Sequence, residues 1–481
     1  MLFKNYPRII IGGLAGDSGK TFVTCGLLAC FKSKGINVSA FKKGPDYIDS
    51  AWLSLSSGKP ARNLDTFMMG FQKVIKSFQK NACNNGINII EGNRGLFDGV
   101  DSKGTHSTAE LAKLLESPII IVQDITKVTR TAAASIVGCL NLDREIKIAG
   151  VILNRVAGER HAMIAKNAIE GETGIPVLGM IPKLCRKCIL PERHLGLITP
   201  DDCEHKSIFL NDAINIIEDN VDVPKIMDIA VEAPFIEYKP LYIDKDSVHS
   251  SSSSTPEWDV IPDKVKIGYL KDKSFSFYYP ENLEMLAEEG AELIPISSIN
   301  RNKLDDIDAL YIGGGFPEIN LADLASDKEM IVTIKKLADY GLPIYAECGG
   351  LMYLAKDILW KGKKYSLTNV LPLEIKMHNK PYGHGYCEMT VDNENPFYDI
   401  GTVIRGHEFH YSEIYHYDPA VKSSLAVSRG CGCFNKRDGL TYKNVFASYI
   451  HVHALATPEW AIGMINCARN YHNSKKAILE I

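Results

Sequence analysis

Cys348 stands where a thiol can do chemistry. Residues 343–346, Pro-Ile-Tyr-Ala, predict a short buried strand, Gly349-Gly350 permit a tight turn, and 351–354 open an apolar helix. A side chain on such a strand-turn-helix elbow is held exposed at the carboxyl end of a parallel sheet. The backbone N–H groups that follow it favour a thiolate and can hold an oxyanion. That arms a cysteine as a nucleophile towards an amide or ester carbonyl. The competing reading is a core cysteine beside a glycine turn. Two further segments weigh against it, GGGFPE at 313–318 and SYIHVH at 448–453. In the second, His451 and His453 are two apart and share a face if the segment is a strand, so one can deprotonate Cys348 while the other orients it.

A second chemistry is written near the amino terminus. A strand at 8–11 runs into GGLAGDSGKT at 12–21 and an amphipathic helix through residue 31. Gly13 to Gly19 encloses five residues, one more than the strict phosphate-loop pattern. Loop N–H groups can still wrap a phosphate, Lys20 can reach the terminal phosphates, and Thr21 can ligate Mg²⁺. After a strand at 37–41 comes FKKGPDYID, with Asp46 and Asp49 three apart in a predicted loop. After a strand at 87–90 comes EGNRGLFDG, with Glu91 placed as a Walker-B-like carboxylate and Asp98 among glycines that let a bulky ligand approach. All four acids follow strand ends and so converge on one sheet edge. Divided by distance from the loop, Glu91 and Asp46 fall to the metal and Asp49 and Asp98 to the substrate. Asn154, at the end of a strand at 148–153, is open to two readings, an adenine contact or a turn cap.

The elements that position these residues are those of an α/β protein. Strands at 8–11, 37–41, 87–90, 118–122, 148–153 and 175–181 with helical crossovers predict a doubly wound domain over 1–222. From 223 to 263 periodicity fades, prolines recur and five serines run from 250 to 254, which reads as a linker. A second doubly wound domain is expected over 264–481.

Composition bounds the rest. The 481 residues are 45% hydrophobic and 23% charged with net charge −4, so no nucleic-acid partner is indicated. No apolar run is long enough to span a membrane, and a cytoplasmic protein is expected. The twelve cysteines read as reduced thiols. Cys185 and Cys188, with Cys431 and Cys433, form CxxC and CxC pairs, but no structural-zinc spacing joins them.

KKGPDYID, RNLDTFM at 62–68, IEGNRGLFDG and LPERHLGL at 190–197 lie in the order and spacing of the cobyrinic acid a,c-diamide synthase family. With the carboxyl-terminal motifs, which resemble the glutamine amidotransferase module of that family, they cover nearly the whole chain. The longer loop is similar to that of dethiobiotin synthetase-like ATPases. The resemblance implies a glutamine-hydrolysing amidoligase that uses ATP and Mg²⁺ on a tetrapyrrole carboxylate, with a homodimer as a candidate assembly. It places the oxyanion donors at Gly315 and Gly349 and the base at His451, with His453 in the orienting role that a Glu plays in many amidotransferases. His407 and His410 read as packing residues. Gly16-Asp17-Ser18 and Arg94 depart from the family pattern, the latter on the tetrapyrrole side. Sirohaem and nickel-sirohydrochlorin are alternative substrates, and a partition-ATPase-like switch with a vestigial glutaminase is an alternative of another class.

Overall fold

The computed structural model describes residues 3–184, 192–193, 196–237, 264–299, 304 and 306–479. The chain divides into two compact units, Met1–Tyr242 and Ile243–Ile481.

In the first unit, Ile9, Ile10 and Ile11 are wholly buried, as are the four residues Ile119 to Val122. Such β-branched runs suit strands covered on both faces, which is the lot of a parallel sheet with helical crossovers. Seven parallel strands form: β1 Arg8–Gly13, β2 Asn37–Lys43, β3 Arg62–Leu64, β4 Gly86–Glu91, β5 Ile119–Asp124, β6 Ile148–Val156 and β7 Val177–Pro182, in the spatial order β3-β2-β4-β1-β5-β6-β7. Helix α1, Lys20–Ser33, is buried on nearly every side rather than amphipathic, because α2, Tyr47–Ser57, and a helix at Lys206–Asn220 pack over it. On the opposite face Phe41 of β2 meets Phe78 of α3, Thr66–Asn81, with ring centroids 5.0 Å apart.

Two expectations change here. Asp46 and Asp49 are not in a loop: Asp46 caps α2, accepting a 2.8 Å hydrogen bond from Asp49 N, and Asp49 lies in the first turn. The linker does not begin at 223, since Val223–Val231 is a helix capped by Asp222 whose Val223, Ile226 and Ala230 recur at helical spacing and are buried in the first unit's core. The serine-rich stretch lies outside the described residues. So do Cys185 and Cys188 and half of LPERHLGL, of which the ribbon pairing Glu192–Arg193 with Gly196–Leu197 is described.

The second unit is built on a nine-stranded sheet. Its parallel part consists of β8 Val265–Leu270, β9 Ala291–Ile296, β10 Ala309–Ile312, β11 Ile344–Glu347 and a strand at Val445–Ser448, in the order β9-β8-β10-β11-(445–448). Four antiparallel strands extend it, among them one at Val403–His410. Tyr311, Tyr345, Phe397, Phe446 and Trp460 fill one side of the sheet, with the Tyr345 and Phe446 rings stacked 5.2 Å apart.

Candidate functional sites

The phosphate loop joins β1 to α1. Gly19 has φ 95°, a conformation that costs glycine little, and an added Cβ would lie 2.1 Å from Asn154 Nδ2. Asn154 donates from Nδ2 to Ser18 O at 2.9 Å and accepts from Arg155 N through Oδ1. These bonds make the side chain a brace on the phosphate loop, a role that neither the adenine contact nor the turn cap described. Lys20, 7% exposed, donates to Ala15 O at 2.9 Å within the loop. Burial holds its ammonium below the ordinary value, with Lys42 acting the same way, while Glu91, Asp49 and Asp17 oppose them.

Beside the loop lies a contact set that the sequence only half disclosed. Thr21 Oγ1 donates to Glu91 Oε1 at 2.7 Å. Lys42 Nζ donates to Asp49 Oδ2 at 2.6 Å and to the same Glu91 oxygen at 2.9 Å. Burial alone would lower the Lys42 pKa, but Asp49 and Glu91 more than offset it and the group is held above the usual lysine range. Lys42 was missed in the sequence; a lysine near the end of a buried strand is the signal that marks it. The division of acids changes too, for Asp49, not Asp46, shares Lys42 with Glu91, while Asp46 serves as a helix cap. Burial pushes Glu91 up to about 7, against Lys42 and the Thr21 hydroxyl, and lifts Asp46 to about 6.

Asp98 is exposed and closes a turn, Oδ2 accepting from Gly95 N at 2.8 Å. A Cβ on Gly95 would sit 2.7 Å from that oxygen and 2.9 Å from Leu14 O, so Asp98 borders the phosphate loop.

The cysteine site is built from three segments. Cys348 follows β11 at φ 48°, ψ −99°, a strained conformation for a non-glycine residue, and a short helix, Gly349–Leu354, follows it. Gly350 permits the elbow, because a Cβ there would lie 2.3 Å from Ile312 O of β10. Gly315, at φ 156°, would bring a Cβ to 2.1 Å from Ser274 O, and its amide nitrogen lies 3.1 Å from a Cβ built on Gly349. The two expected oxyanion donors are therefore neighbours. His451 is packed against the same glycine loop, its Cε1 2.3 Å from a Cβ built on Gly314. Its ring stacks on His407 at 4.8 Å.

Beside His451 the structure sets a carboxylate. Glu347, fully buried and adjacent to the cysteine, places Oε2 3.5 Å from His451 Nδ1 while Tyr311 OH and Val452 N donate to its two oxygens. His453 lies 3.6 Å from Glu281 and stacks on Tyr279. The expectation failed because the strand ends at Ser448; beyond it the chain makes only an isolated bridge, His407 to His451, so the two-residue period no longer applies. An acid closing an otherwise uncharged strand, directly before the nucleophile, was the missed signal. Burial, followed by Glu318, raises the Cys348 thiol well above its usual value, and the Gly349 N–H opposes this. Glu318 is itself lifted to about 7 by burial. Cys433 donates to Asp438 at 3.1 Å, and among the described residues no three His, Cys, Asp or Glu gather as a metal cage. No helix among them is long and apolar enough to cross a membrane.

Residues 9–198 match the CobQ/CobB/MinD/ParA nucleotide binding domain and residues 266–459 the CobB/CobQ-like glutamine amidotransferase domain. Cobyrinate a,c-diamide synthase of Magnetococcus marinus is 40% identical over 95% of this chain and 96% of its own. The protein of that name from Dehalococcoides mccartyi is 38% identical over 97% and 99%, and that from Archaeoglobus fulgidus 38% over 95% and 96%. A nucleotide loop and a cysteine elbow in one polypeptide, with similarity of this extent, place the chain in the cobyrinate a,c-diamide synthase family, as a glutamine-dependent amidoligase.

Proposed function

We propose that this enzyme amidates the a and c acetate carboxylates of cobyrinic acid, in the making of cobalamin, drawing ammonia from glutamine and driving force from ATP. The observation that carries the reading is the pairing, in one chain, of the Cys348 elbow with the Thr21–Glu91–Lys42 contacts beside a phosphate loop.

At the elbow, Cys348 Sγ attacks the glutamine carboxamide carbon as His451 takes the thiol proton. The N–H groups of Gly315 and Gly349 hold the oxyanion, and protonated His451 returns the proton to departing ammonia. Water then hydrolyses the thioester to glutamate. Glu347 fixes the ring and stabilises the imidazolium.

In the first unit a substrate carboxylate oxygen attacks the terminal phosphorus of ATP, giving an acyl phosphate and ADP. Ammonia adds to the acyl carbon and phosphate leaves, where oxide from a bare carboxylate would not. Lys20 holds the terminal phosphate, and Asp98, at the loop's border, faces the substrate. Glu91 Oε2, buried without a hydrogen-bond partner among the described residues, together with the Thr21 hydroxyl, fits Mg²⁺, which takes one or two carboxylates and completes its shell with phosphates and water. The charge balance agrees, because Lys42 neutralises only one of Asp49 and Glu91. When bound, Mg²⁺ neutralises charge on the transferring phosphoryl group.

The direct test is mass spectrometry of the purified enzyme with ATP, Mg²⁺, glutamine and a panel of tetrapyrrole carboxylates, including sirohaem and nickel-sirohydrochlorin. Two mass shifts of one amidation each on cobyrinic acid are expected, and activity confined to another ring would overturn the substrate assignment.

Two further results should follow. Glu347→Gln should lower glutaminase kcat by about 10²–10⁴-fold, the scale seen when a histidine loses its orienting carboxylate, while Glu281→Gln should cost far less. Equal losses would return the orienting role to the His453 side. The second result concerns pH. With Glu91 near 7, the free enzyme gains a proton there as pH falls through neutrality and loses charge needed for the cation. Mg-ATP affinity should therefore rise between pH 6 and 8 by roughly tenfold, the change in the ionised fraction of one group with a pKa of about 7, and Glu91→Gln should flatten the profile. Isothermal calorimetry reads both; a flat wild-type profile would remove Glu91 from the cation site.

A further inference from the structure

Lys43 follows Lys42 in β2, so the two side chains leave opposite faces of the sheet. Lys42 turns to α1 and the phosphate loop. Lys43 turns to the other face, where it is 5% exposed. Among the described residues it donates no hydrogen bond and stands in no ion pair. Burial holds its pKa below the ordinary value, with Asp65 and Glu110 opposing, and a bound anion would offset that cost.

The carboxylates that face it are each engaged elsewhere through one oxygen and form no ion pair with it among the described residues. Asp65 and Glu110 exert a favourable field, but Asp65 Oδ1 caps α3 by accepting from Met68 N at 2.8 Å, and Glu110 Oε2 accepts from His106 N at 2.5 Å. Lys42 and Arg94 add positive charge. Arg94 is exposed and held at φ 50° in the loop that carries Asp98. Two cations thus lie near enough to act on each other at the sheet's carboxyl edge, and neither stands in an ion pair among the described residues. An aromatic shelf adjoins them: Phe71, 46% exposed, stacks on His106, whose Nδ1 is 2.8 Å from Thr66 Oγ1 beside Asp65.

We propose that Lys43 and Arg94 form a second anion subsite, which holds a carboxylate of the tetrapyrrole other than the one being amidated, with the macrocycle edge over Phe71 and His106. The inference rests on the tetrapyrrole reading above. A substrate with several carboxylates around a rigid ring can place one at the phosphoryl donor only if another is anchored. The subsite supplies that anchor, and Arg94 would set which edge of the ring is presented.

The test uses the full-length chain with ammonium salt as nitrogen source, so that the glutaminase does not enter the readout. Lys43→Gln should raise KM for cobyrinic acid by about tenfold or more, the usual loss of one charge-assisted hydrogen bond, with KM for ATP within about twofold of wild type. Lys43→Arg should recover most of the loss. Arg94→Met, at an exposed position, gives the same readout if Lys43→Gln folds poorly, and should alter the ratio of the two monoamides. Unchanged KM for cobyrinic acid in both variants, or KM for ATP and cobyrinic acid rising together, would overturn the subsite. If wild-type enzyme amidates no tetrapyrrole of the panel, the substrate reading fails first; if it does and the variants match it, only the subsite fails.

Discussion

The Cys348→Ala variant is expected to lose glutamine-dependent amidation by at least about 10³-fold, yet to keep ammonium-dependent amidation within about twofold of wild type. The nucleophile is required only to release ammonia, and the residues assigned to phosphoryl transfer belong to a separate compact unit. The elbow strain makes alanine acceptable there, since the φ 48° conformation is already borne by a residue with a Cβ. Parallel assays with glutamine and with ammonium chloride, on protein of unchanged circular dichroism, check it. Loss of both activities in a folded variant would count against the division of labour.

Lys20→Ala should show the complementary pattern, with synthesis from either nitrogen source reduced by about 10²–10⁴-fold, the range for losing one electrostatic stabiliser of a phosphoryl-transfer transition state. Glutamine hydrolysis without synthesis should remain measurable. Lys20 is nearly buried inside the loop, bonded to Ala15 O, so its removal takes away the charge without an exposed partner to replace it. ADP release and glutamate release, followed separately, decide the matter. Unchanged ATP turnover would dismiss the phosphate-loop assignment despite its glycines.

Most of the architecture was legible because buried parallel strands announce themselves as runs of isoleucine and valine punctuated by glycine. The elbow at Cys348 and the glycine loop before Lys20 were legible for a related reason, as side chains set at strand-to-helix turns. What was illegible depended on where regular structure stops. The segment 449–453 looks like strand, but regular pairing ends at Ser448 and an isolated His407–His451 bridge follows, so the rule that put His453 behind His451 lapses. Asp46 looked like a ligand because a helix cap and a metal ligand have the same chemistry until the helix is seen. Lys42 and Glu347 hid for a third reason: charged residues near the ends of buried strands draw no attention until their partners are placed beside them.

The Asn154 brace on the phosphate loop bears on the kinetics of nucleotide capture. A strand five strands later in the chain clamps Ser18, and Gly19 is wedged under the same amide with no room for a side chain. The loop is thereby shaped by folding of the whole sheet rather than by the arriving triphosphate, and little conformational entropy remains to be lost on binding. Capture would then be governed by diffusion and charge steering, and discrimination among nucleotides by how fast each departs.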